Sequence, residues 1–256
     1  MDQRRQWWEE LFQIHEYNQF AGAADELTSA EVAFLVEALG LAPGSSVLDL
    51  GCGNGRHVLG LARLGIRAEG LEIAENVVGY AQELAARAGL GARFIQGDMR
   101  DLAGLGPYDA ILMMNSSFGF FSDGENERLL ASIADSLVPG GKLLLQTINP
   151  YQIVTYLTGY RTGWHRVGAG YILRQARFDP LQGALLAEYI YLDPRQNLEL
   201  QHPGERIRTY TYPELRAMLQ AAGFELAAVF GDAVLPAQPF EETSLWQVMV
   251  ARKQRP

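Results

Sequence analysis

The 256-residue chain has 30 acidic and 21 basic side chains, which give it a formal charge of −9 at neutral pH. This balance argues against nucleic acid as a partner, because proteins that bind it need a basic surface to neutralise phosphates. Hydrophobic residues make up 48% of the chain and charged residues 20%, as is usual for a globular domain. The chain contains no run of 18 apolar residues, so we expect no membrane span.

The single cysteine, Cys52, allows no intrachain disulfide, and the N-terminal stretch lacks the apolar core of a secretory signal. We therefore expect a cytoplasmic protein. Cys52 stands between glycines and is expected to be a small packed residue rather than a reactive thiol. No His, Cys or Asp cluster has the spacing of metal ligands, so we expect no metal.

Two helices are predicted before the first strand. Aromatic and apolar residues at positions 7, 8, 11 and 12 repeat at helical spacing and predict a short amphipathic helix. This helix either packs on the core or covers a ligand, with Tyr17 near that ligand. Thr28-Ser29-Ala30-Glu31 fits a capping box and predicts a second helix that ends at Leu39. Together, residues 1–40 are predicted to form a helical lid.

The stretch Val47-Leu48-Asp49-Leu50-Gly51-Cys52-Gly53-Asn54-Gly55 is an apolar strand that leads into three glycines at alternate positions. Residues 56–64 then have the pattern of a helix. Glycines at such a turn let the backbone approach a ligand closely, and the N-terminus of the helix offers free N–H groups. The turn therefore predicts a ligand site.

Strands and helices alternate from Ser46 to Thr147, which predicts a parallel sheet with helices on both sides. Polar motifs end several of these strands. Glu72 lies 21 residues after Gly51, Gly97-Asp98-Met99-Arg100-Asp101 follows the third strand, and Asn115 ends the fourth. Ligands of such sheets bind at the carboxyl ends of the strands, where all of these residues are expected to meet.

The second half of the chain has a different pattern. Residues 149–170 show no clear periodicity, and strands are predicted at residues 171–178, 184–192 and 205–210. We interpret residues 149–211 as an antiparallel meander inserted after strand five. Thr211-Tyr212-Pro213-Glu214 is a second capping box, which predicts a helix to Ala222. The last two strands are predicted at residues 224–230 and 244–251.

These motifs, in this order, resemble the class I S-adenosylmethionine (SAM)-dependent methyltransferases, in particular a bacterial subgroup that acts on small molecules. The resemblance spans roughly residues 31–252. It implies an α/β fold with a doubly wound, seven-stranded, mostly parallel sheet, in which the last strand is antiparallel and helices cover both faces. It further implies a single domain over residues 1–256, in which the small antiparallel β insertion at residues 149–211 forms the acceptor side.

The resemblance implies an enzyme that transfers a methyl group from SAM to nitrogen or oxygen of a small organic acceptor by in-line displacement, leaving S-adenosylhomocysteine. The residues it assigns to cofactor binding are Asp49, Gly51, Cys52, Gly53, Arg56, Glu72, Ile73, Asp98, Met99 and Asn115. Asp49 would help hold the ammonium group of SAM and Arg56 its carboxylate. Glu72 would accept hydrogen bonds from the ribose hydroxyls. Asp98 would accept one from the adenine amino group.

The sequence assigns no definite catalytic residue. Asn115, at the end of strand four, is a candidate because it is expected beside the methyl donor. A hydroxyl acceptor would need a base, for which His165, His202 and Tyr210 are candidates, whereas an amine can lose its proton without a dedicated one. His57 follows the glycine turn and is expected to pack rather than to catalyse.

Three alternatives remain beside this interpretation. A non-catalytic SAM-binding regulatory protein would share the same motifs. A nicotinamide-dependent oxidoreductase would need a third glycine where Arg56 stands. A nucleic-acid or protein methyltransferase is disfavoured by the charge and by Asn115-Ser116-Ser117-Phe118 at the end of strand four. The expected partner is a small-molecule acceptor, with no nucleic acid and no membrane, and the insertion is alternatively a stability element or the interface of a homodimer.

Overall fold

The computed structural model describes residues 6–14, 25–156 and 161–255. The helices in these ranges are α1 (Trp7–Leu11), α2 (Asp25–Leu39), α3 (Arg56–Arg63), α4 (Glu75–Arg87), α5 (Asp123–Asp135), α6 (Pro150–Tyr156) and α7 (Tyr212–Ala221). The strands are β1 (Ser46–Leu50), β2 (Arg67–Glu72), β3 (Arg93–Gln96), β4 (Tyr108–Met113), β5 (Leu137–Ile148), β6 (Arg161–Val167), β7 (Gly170–Asp179), β8 (Ala184–Asp193), β9 (Leu198–Arg208), β10 (Phe224–Phe230) and β11 (Trp246–Lys253).

The main sheet has seven strands in the order β10-β11-β5-β4-β1-β2-β3. The first five strands of the chain run parallel to one another, and β11 pairs antiparallel with both β5 and β10. Central strands such as β4 are buried along almost their whole length, as expected when helices cover both faces of a sheet. The doubly wound sheet with an antiparallel last strand is therefore confirmed.

The insertion between β5 and α7 forms a second sheet of four antiparallel strands, in the order β6-β7-β8-β9. Three strands were predicted there, and β6 and α6 were not. β6 pairs on one side only and is exposed over most of its length, so its sequence lacks the apolar alternation of a half-buried strand. The meander itself is confirmed, with one more strand than expected.

Two of the predicted helix starts have different outcomes. The capping box at α7 is confirmed, since the carboxylate of Glu214 accepts hydrogen bonds from both N–H and O–H of Thr211. The predicted capping box at Thr28 is wrong, because α2 already begins at Asp25. Thr28 instead accepts a hydrogen bond from Arg56, so its hydroxyl joins α2 to α3.

The hydrophobic core has three parts. Two lie on the opposite faces of the main sheet, and the third lies between α1 and the insertion. Leu11 of α1 is fully buried in this third cluster, with Ile172, Tyr189 and other residues of β7, β8 and β9. This packing holds α1 and the insertion together above the carboxyl edge of the main sheet. Tyr17, which was predicted near the ligand, lies outside the described residues.

The end of the insertion is fastened to the segment that follows β4. The N–H of Arg208 donates to the carbonyl oxygen of Gly119 at 2.8 Å. Gly119 has φ of 111°, and a Cβ at this position would collide with the carbonyl oxygen of Arg208. Only glycine allows this approach, which fixes the insertion beside the end of β4.

Candidate active site

A cavity of about 440 Å³ lies at the carboxyl edge of the main sheet, with the insertion on its other side. This volume is in the range of small-molecule sites. The cavity is lined by all ten residues that the sequence assigned to the cofactor, namely Asp49, Gly51, Cys52, Gly53, Arg56, Glu72, Ile73, Asp98, Met99 and Asn115. The fold therefore brings together residues that are up to 66 positions apart in the chain, from Asp49 to Asn115.

The glycine turn after β1 forms the floor of the cavity. Gly53 and Gly55 have φ of 53° and 76°, values that other residues rarely adopt. A Cβ on Gly55 would overlap the ring of Phe94, so this glycine is needed for packing. A Cβ on Gly53 would meet no atom within 4 Å, so the backbone there borders open space that a ligand can approach.

A buried network of charged side chains lies beneath this turn. His57, from the first turn of α3, is nearly fully buried, with Nε2 3.1 Å from Glu31 Oε2 and Nδ1 3.7 Å from Asp49 Oδ2. Burial lowers the pKa of His57, but Asp49 and Glu31 raise it more, so the net shift is upward. Arg56 also pairs with Glu31, and the network keeps the pKa of Glu31 below its ordinary value despite burial. α2 thus supports the turn through Glu31.

Asp49 provides a test of whether the site fits SAM. Its side chain is 2% exposed and lines the cavity, and no described residue hydrogen-bonds to its Oδ2. A buried carboxylate oxygen is costly unless a partner satisfies it, and His57 Nδ1 at 3.7 Å is too far for a hydrogen bond. The ammonium group of SAM is a donor of the right charge. The site therefore fits the amino-acid end of the cofactor.

Glu72, at the end of β2, lines the cavity and also holds the turns around it. Its Oε2 accepts from the N–H of Gly53 at 3.0 Å, and Oε1 accepts from Ile73 and Ala74 at 2.9 and 3.0 Å. Burial raises the pKa of Glu72, and these backbone donors offset part of that rise. Oε2 keeps acceptor capacity for a ribose hydroxyl, because a carboxylate oxygen can accept about two hydrogen bonds.

Arg100 holds the carboxylate of Asp98 in a bidentate ion pair. Arg100 Nη2 lies 2.6 Å from Asp98 Oδ2, and its Nε donates to the same carboxylate. Burial raises the pKa of Asp98, but Arg100 lowers it more. Arg100 also reaches Glu125 and lies 4.5 Å above the ring of Phe121. Asp98 thus helps to hold its own turn in the structure. Its hydrogen bond to adenine stays a prediction.

The end of β4 has an unusual backbone. Asn115 and Ser116 have φ of 53° and 60°, the left-handed region that non-glycine residues seldom adopt. The side chain of Gln146 accepts from the N–H of Asn115, and the Ser116 hydroxyl accepts from the N–H of Ile148. β5 therefore holds this turn, which places the Asn115 side chain on the cavity wall. Such strain is concentrated at functional sites.

The remaining walls come largely from the N-terminal segment, which the sequence predicted either to pack on the core or to cover a ligand, and from the insertion, which was expected on the acceptor side. Among the lining residues of the insertion, only His165 was named from the sequence. Trp8 of α1 and Phe12, which directly follows α1, line the cavity together with Phe120 and Phe121, with ring centroids 4.9 Å apart for Trp8 and Phe121. The insertion contributes a face that we call the inner face, formed by His165, Arg174, Leu185, Tyr189, Glu205 and Ile207. Alternating burial along β8 is the signal that could have identified this face.

Of the four catalytic candidates, Asn115 and His165 line the cavity, and Tyr210 and His202 do not. The Tyr210 hydroxyl donates to Asp123 at 2.8 Å and accepts from Asn126 at 2.9 Å. Burial and Asp123 raise its pKa far above the ordinary value. Arg208, in the same segment, pairs with Glu214 and Asp123. Both side chains therefore join the insertion to α5 and α7. His202 is buried and stacks on Tyr191.

The thiol of Cys52 is buried beside the turn, and burial, with Asp49 and Glu72 nearby, raises its pKa well above the ordinary value. It is therefore protonated at neutral pH and is a poor nucleophile. Within the described residues, no group of three or more His, Cys, Asp or Glu is placed to hold a metal ion. None of the helices in those ranges is both long and apolar enough to cross a membrane.

Residues 47–141 match the family model described as a methyltransferase domain. The chain is 25% identical to a cypemycin N-terminal methyltransferase from Streptomyces sp., over 82% of this chain and 84% of that protein. It is 27% identical to a dTDP-3-amino-3,4,6-trideoxy-alpha-D-glucopyranose N,N-dimethyltransferase from Streptomyces venezuelae, over 72% of this chain and 73% of that protein. The solved CcbJ methyltransferase from Streptomyces caelestis superimposes with a TM-score of 0.81 at 25% identity, covering 96% of this chain and 99% of that one.

Proposed function

We propose that the chain is a class I methyltransferase that uses S-adenosylmethionine and that it methylates the nitrogen of a small amine held between the end of β4 and the insertion. The observation that carries this proposal is the cavity itself. A single cavity is lined by the cofactor residues of the main sheet and by the inner face of the insertion. Its volume suits a small acceptor, and the net charge of −9 disfavours a nucleic acid.

Four of the ten cofactor residues have a defined task in this proposal. SAM supplies a methyl group that its sulfonium has already activated for in-line displacement. The Asp49 carboxylate holds the ammonium end, and the backbone at Gly53 allows close approach. Glu72 binds the ribose through Oε2 while it holds the turn. Asn115 lies at the end of β4, where it can orient the reacting groups. Alignment of this kind can supply ~7–11 kcal/mol of the barrier.

An amine acceptor suits the groups that surround the cavity. An amine attacks once it is uncharged, whereas a hydroxyl acceptor needs a base within reach. Asn115 cannot take a proton at its amide, and Asp49 is committed to the cofactor end. Among the described cavity residues of the insertion, His165 and Glu205 could accept a proton for a hydroxyl acceptor. One of the two relatives is named an N,N-dimethyltransferase, which supports nitrogen as the methylated atom.

The acceptor is enclosed by elements outside the central sheet. The aromatic side chains of α1 and of residues 120–121 cover the cavity from one side, and the inner face covers it from the other. On this basis we assign α1, which belongs to the predicted lid at residues 1–40, to the cover of the cavity and residues 149–211 to the acceptor side. Such a cover excludes water from the methyl group. Cytoplasmic location and a possible homodimer stay predictions.

Turnover with a panel of small acceptors tests the proposal. The purified enzyme is incubated with SAM and with cyclic and linear amines, phenols and alcohols, and mass spectrometry follows S-adenosylhomocysteine and the acceptors. We expect stoichiometric S-adenosylhomocysteine and an acceptor that gains one methyl group on nitrogen. Methylation of phenols or alcohols alone would overturn nitrogen as the target. Saturable SAM binding without turnover on any acceptor would instead favour the non-catalytic regulatory alternative.

A further inference from the structure

The inner face carries one pair of opposite charges, Arg174 and Glu205. Leu185 and Ile207 face each other across β8 and β9, and Arg174 faces Tyr189 across β7 and β8. Glu205 lies beside them on β9 and is only 8% exposed. All five side chains line the cavity, on the wall opposite the cofactor residues. Glu205 loses most of its water at this position, and that cost is offset only as far as Arg174 and other polar groups pair with it.

Glu205 shares the inner face with Ile207 by regular alternation, and a β-bulge lies directly beside it. Ala187 pairs with Glu205 and Tyr189 pairs with His202, so β9 uses one residue more than β8 over this step. Side chains alternate between faces in a regular strand, so positions 202 and 205 would point to opposite sides. Both are buried here because the extra residue resets the alternation. Bulges that re-aim a side chain in this way are common next to active sites.

The guanidinium of Arg174 keeps hydrogen-bonding capacity beside the cavity that it lines. Arg174 Nε donates to the Tyr189 hydroxyl at 3.2 Å, and Arg174 Nη2 donates to Glu205 Oε1 at 3.4 Å. A guanidinium has five N–H donors, and these two bonds use only two of them. Burial, followed by Glu205, raises the pKa of Tyr189, so its hydroxyl is neutral. Burial lowers the pKa of Arg174, but Tyr189 and Glu205 outweigh it, and the guanidinium stays charged.

We propose that Arg174, Tyr189 and Glu205 form the subsite for a neutral, hydroxyl-bearing part of the acceptor, an inference that rests on the amine methyltransferase function proposed above. The positive and negative charges balance, so an anionic group would meet Glu205 and a cationic group would meet Arg174. A hydroxyl donates to the carboxylate and accepts from the guanidinium without burying a further charge. Leu185 and Ile207 pack against the carbon skeleton. The acceptor is therefore an amine on a saturated skeleton with hydroxyl groups.

Two ring amines of similar size test this specificity. Methyl 3-amino-3-deoxyglucoside carries hydroxyls around its amine, and cyclohexylamine carries none. Initial rates of S-adenosylhomocysteine release give kcat and KM for each, for the wild type, Glu205→Gln and Arg174→Lys. Glu188→Gln is the matched control, since Glu188 is exposed on the outer face of β8. Affinity for S-adenosylhomocysteine reports whether each variant keeps the folded cofactor site.

We expect the wild type to prefer the hydroxylated amine. Glu205→Gln and Arg174→Lys should raise its KM roughly ten- to hundredfold, the effect of one lost charge-assisted hydrogen bond. The KM for cyclohexylamine, the affinity for S-adenosylhomocysteine and all constants of Glu188→Gln should stay unchanged.

The outcomes separate this inference from the proposed function. If the wild type methylates both amines and has no preference, or if Glu205→Gln affects both equally, the subsite is refuted while the amine methyltransferase stands. If both inner-face variants also lose S-adenosylhomocysteine binding, the pair supports the fold and not the acceptor, which refutes the subsite too. If neither this pair of amines nor any other amine is methylated, the proposed function is refuted, and the inference that rests on it is refuted too.

Discussion

At the scale of single residues, the carboxylates that end the strands serve the ligand and the turn together. Glu72 and Asp98 were predicted from their position after apolar runs, and both line the cavity. Position in the sequence did not reveal that Glu72 accepts three backbone hydrogen bonds or that Arg100 forms an ion pair with Asp98. Those partners are set by loop geometry, which depends on the whole fold. Side-chain identity at a strand end therefore predicts a site but not its internal bonds.

Replacement of Glu72 separates these two functions. Glu72→Gln keeps the size of the side chain but loses its charge, so we expect S-adenosylhomocysteine to bind roughly ten- to hundredfold more weakly. Glu72→Ala also leaves the N–H groups of Gly53, Ile73 and Ala74 without their acceptor, which should cost about 1–3 kcal/mol of stability. Calorimetric titration and urea unfolding measure the two effects. The exposed Glu75→Gln serves as the control, and unchanged affinity in Glu72→Gln would remove Glu72 from the ribose site.

The buried network around His57 predicts how stability depends on pH. The folded-state pKa of His57 is raised above 6.5, so its contribution is complete below that pH and is lost as the pH rises through the folded value. The folded-state pKa of Glu31 is lowered below 4.5, so its contribution is present above that pH and is lost as the pH falls.

The wild type should therefore exceed His57→Gln in unfolding free energy most strongly between these two values. Urea unfolding of both proteins at about pH 5.5 and about pH 8.5 measures the difference. We expect the advantage of the wild type to shrink at the higher pH. An advantage that grows with pH would show that His57 is neutral in the folded protein.

At the scale of elements, the regular part of the fold was predictable and the insertion only partly so. Strands such as β3 and β10 were predicted with their observed bounds, because apolar runs between turn residues mark them clearly. β6 was not predicted because it is an exposed edge strand. The bulge in β9 was not predicted because it depends on the pairing of β9 with β8. The start of α2 was predicted at Thr28, but the hydroxyl of Thr28 does not cap the helix and instead accepts a hydrogen bond from Arg56 of α3. Local patterns do not contain such long-range partners.

Tyr210 tests how the insertion is joined to the main sheet. Tyr210→Phe removes the hydroxyl that bonds Asp123 and Asn126 in a buried site, so we expect a loss of about 1–3 kcal/mol of unfolding free energy. The affinity for S-adenosylhomocysteine should not change, since Tyr210 does not line the cavity. Urea unfolding and calorimetry measure the two quantities, with the exposed Tyr151→Phe as control. A variant of wild-type stability with impaired turnover would return Tyr210 to the acceptor site.

At the scale of the molecule, two sheets with different topologies share one cavity. The parallel sheet places the cofactor residues at its carboxyl edge, as doubly wound sheets do. The antiparallel sheet is attached beside the end of β4 through Gly119 and Arg208 and provides the opposite wall. The cofactor end of the cavity could be predicted from the sequence, because its motifs are contiguous. The residues of the acceptor end could not be predicted, because they are scattered over four strands and become neighbours only through strand register.

The central claim is that this one cavity holds cofactor at the glycine turn and acceptor at the inner face. A crystal structure with S-adenosylhomocysteine and a turned-over amine tests it most directly. We predict the ribose at Glu72, the sulfur beside Asn115, and the amine facing that sulfur, with the rest of the acceptor against Arg174 and Glu205. Cofactor bound away from the turn after β1, or an acceptor bound outside the cavity with the inner face untouched, would contradict the account.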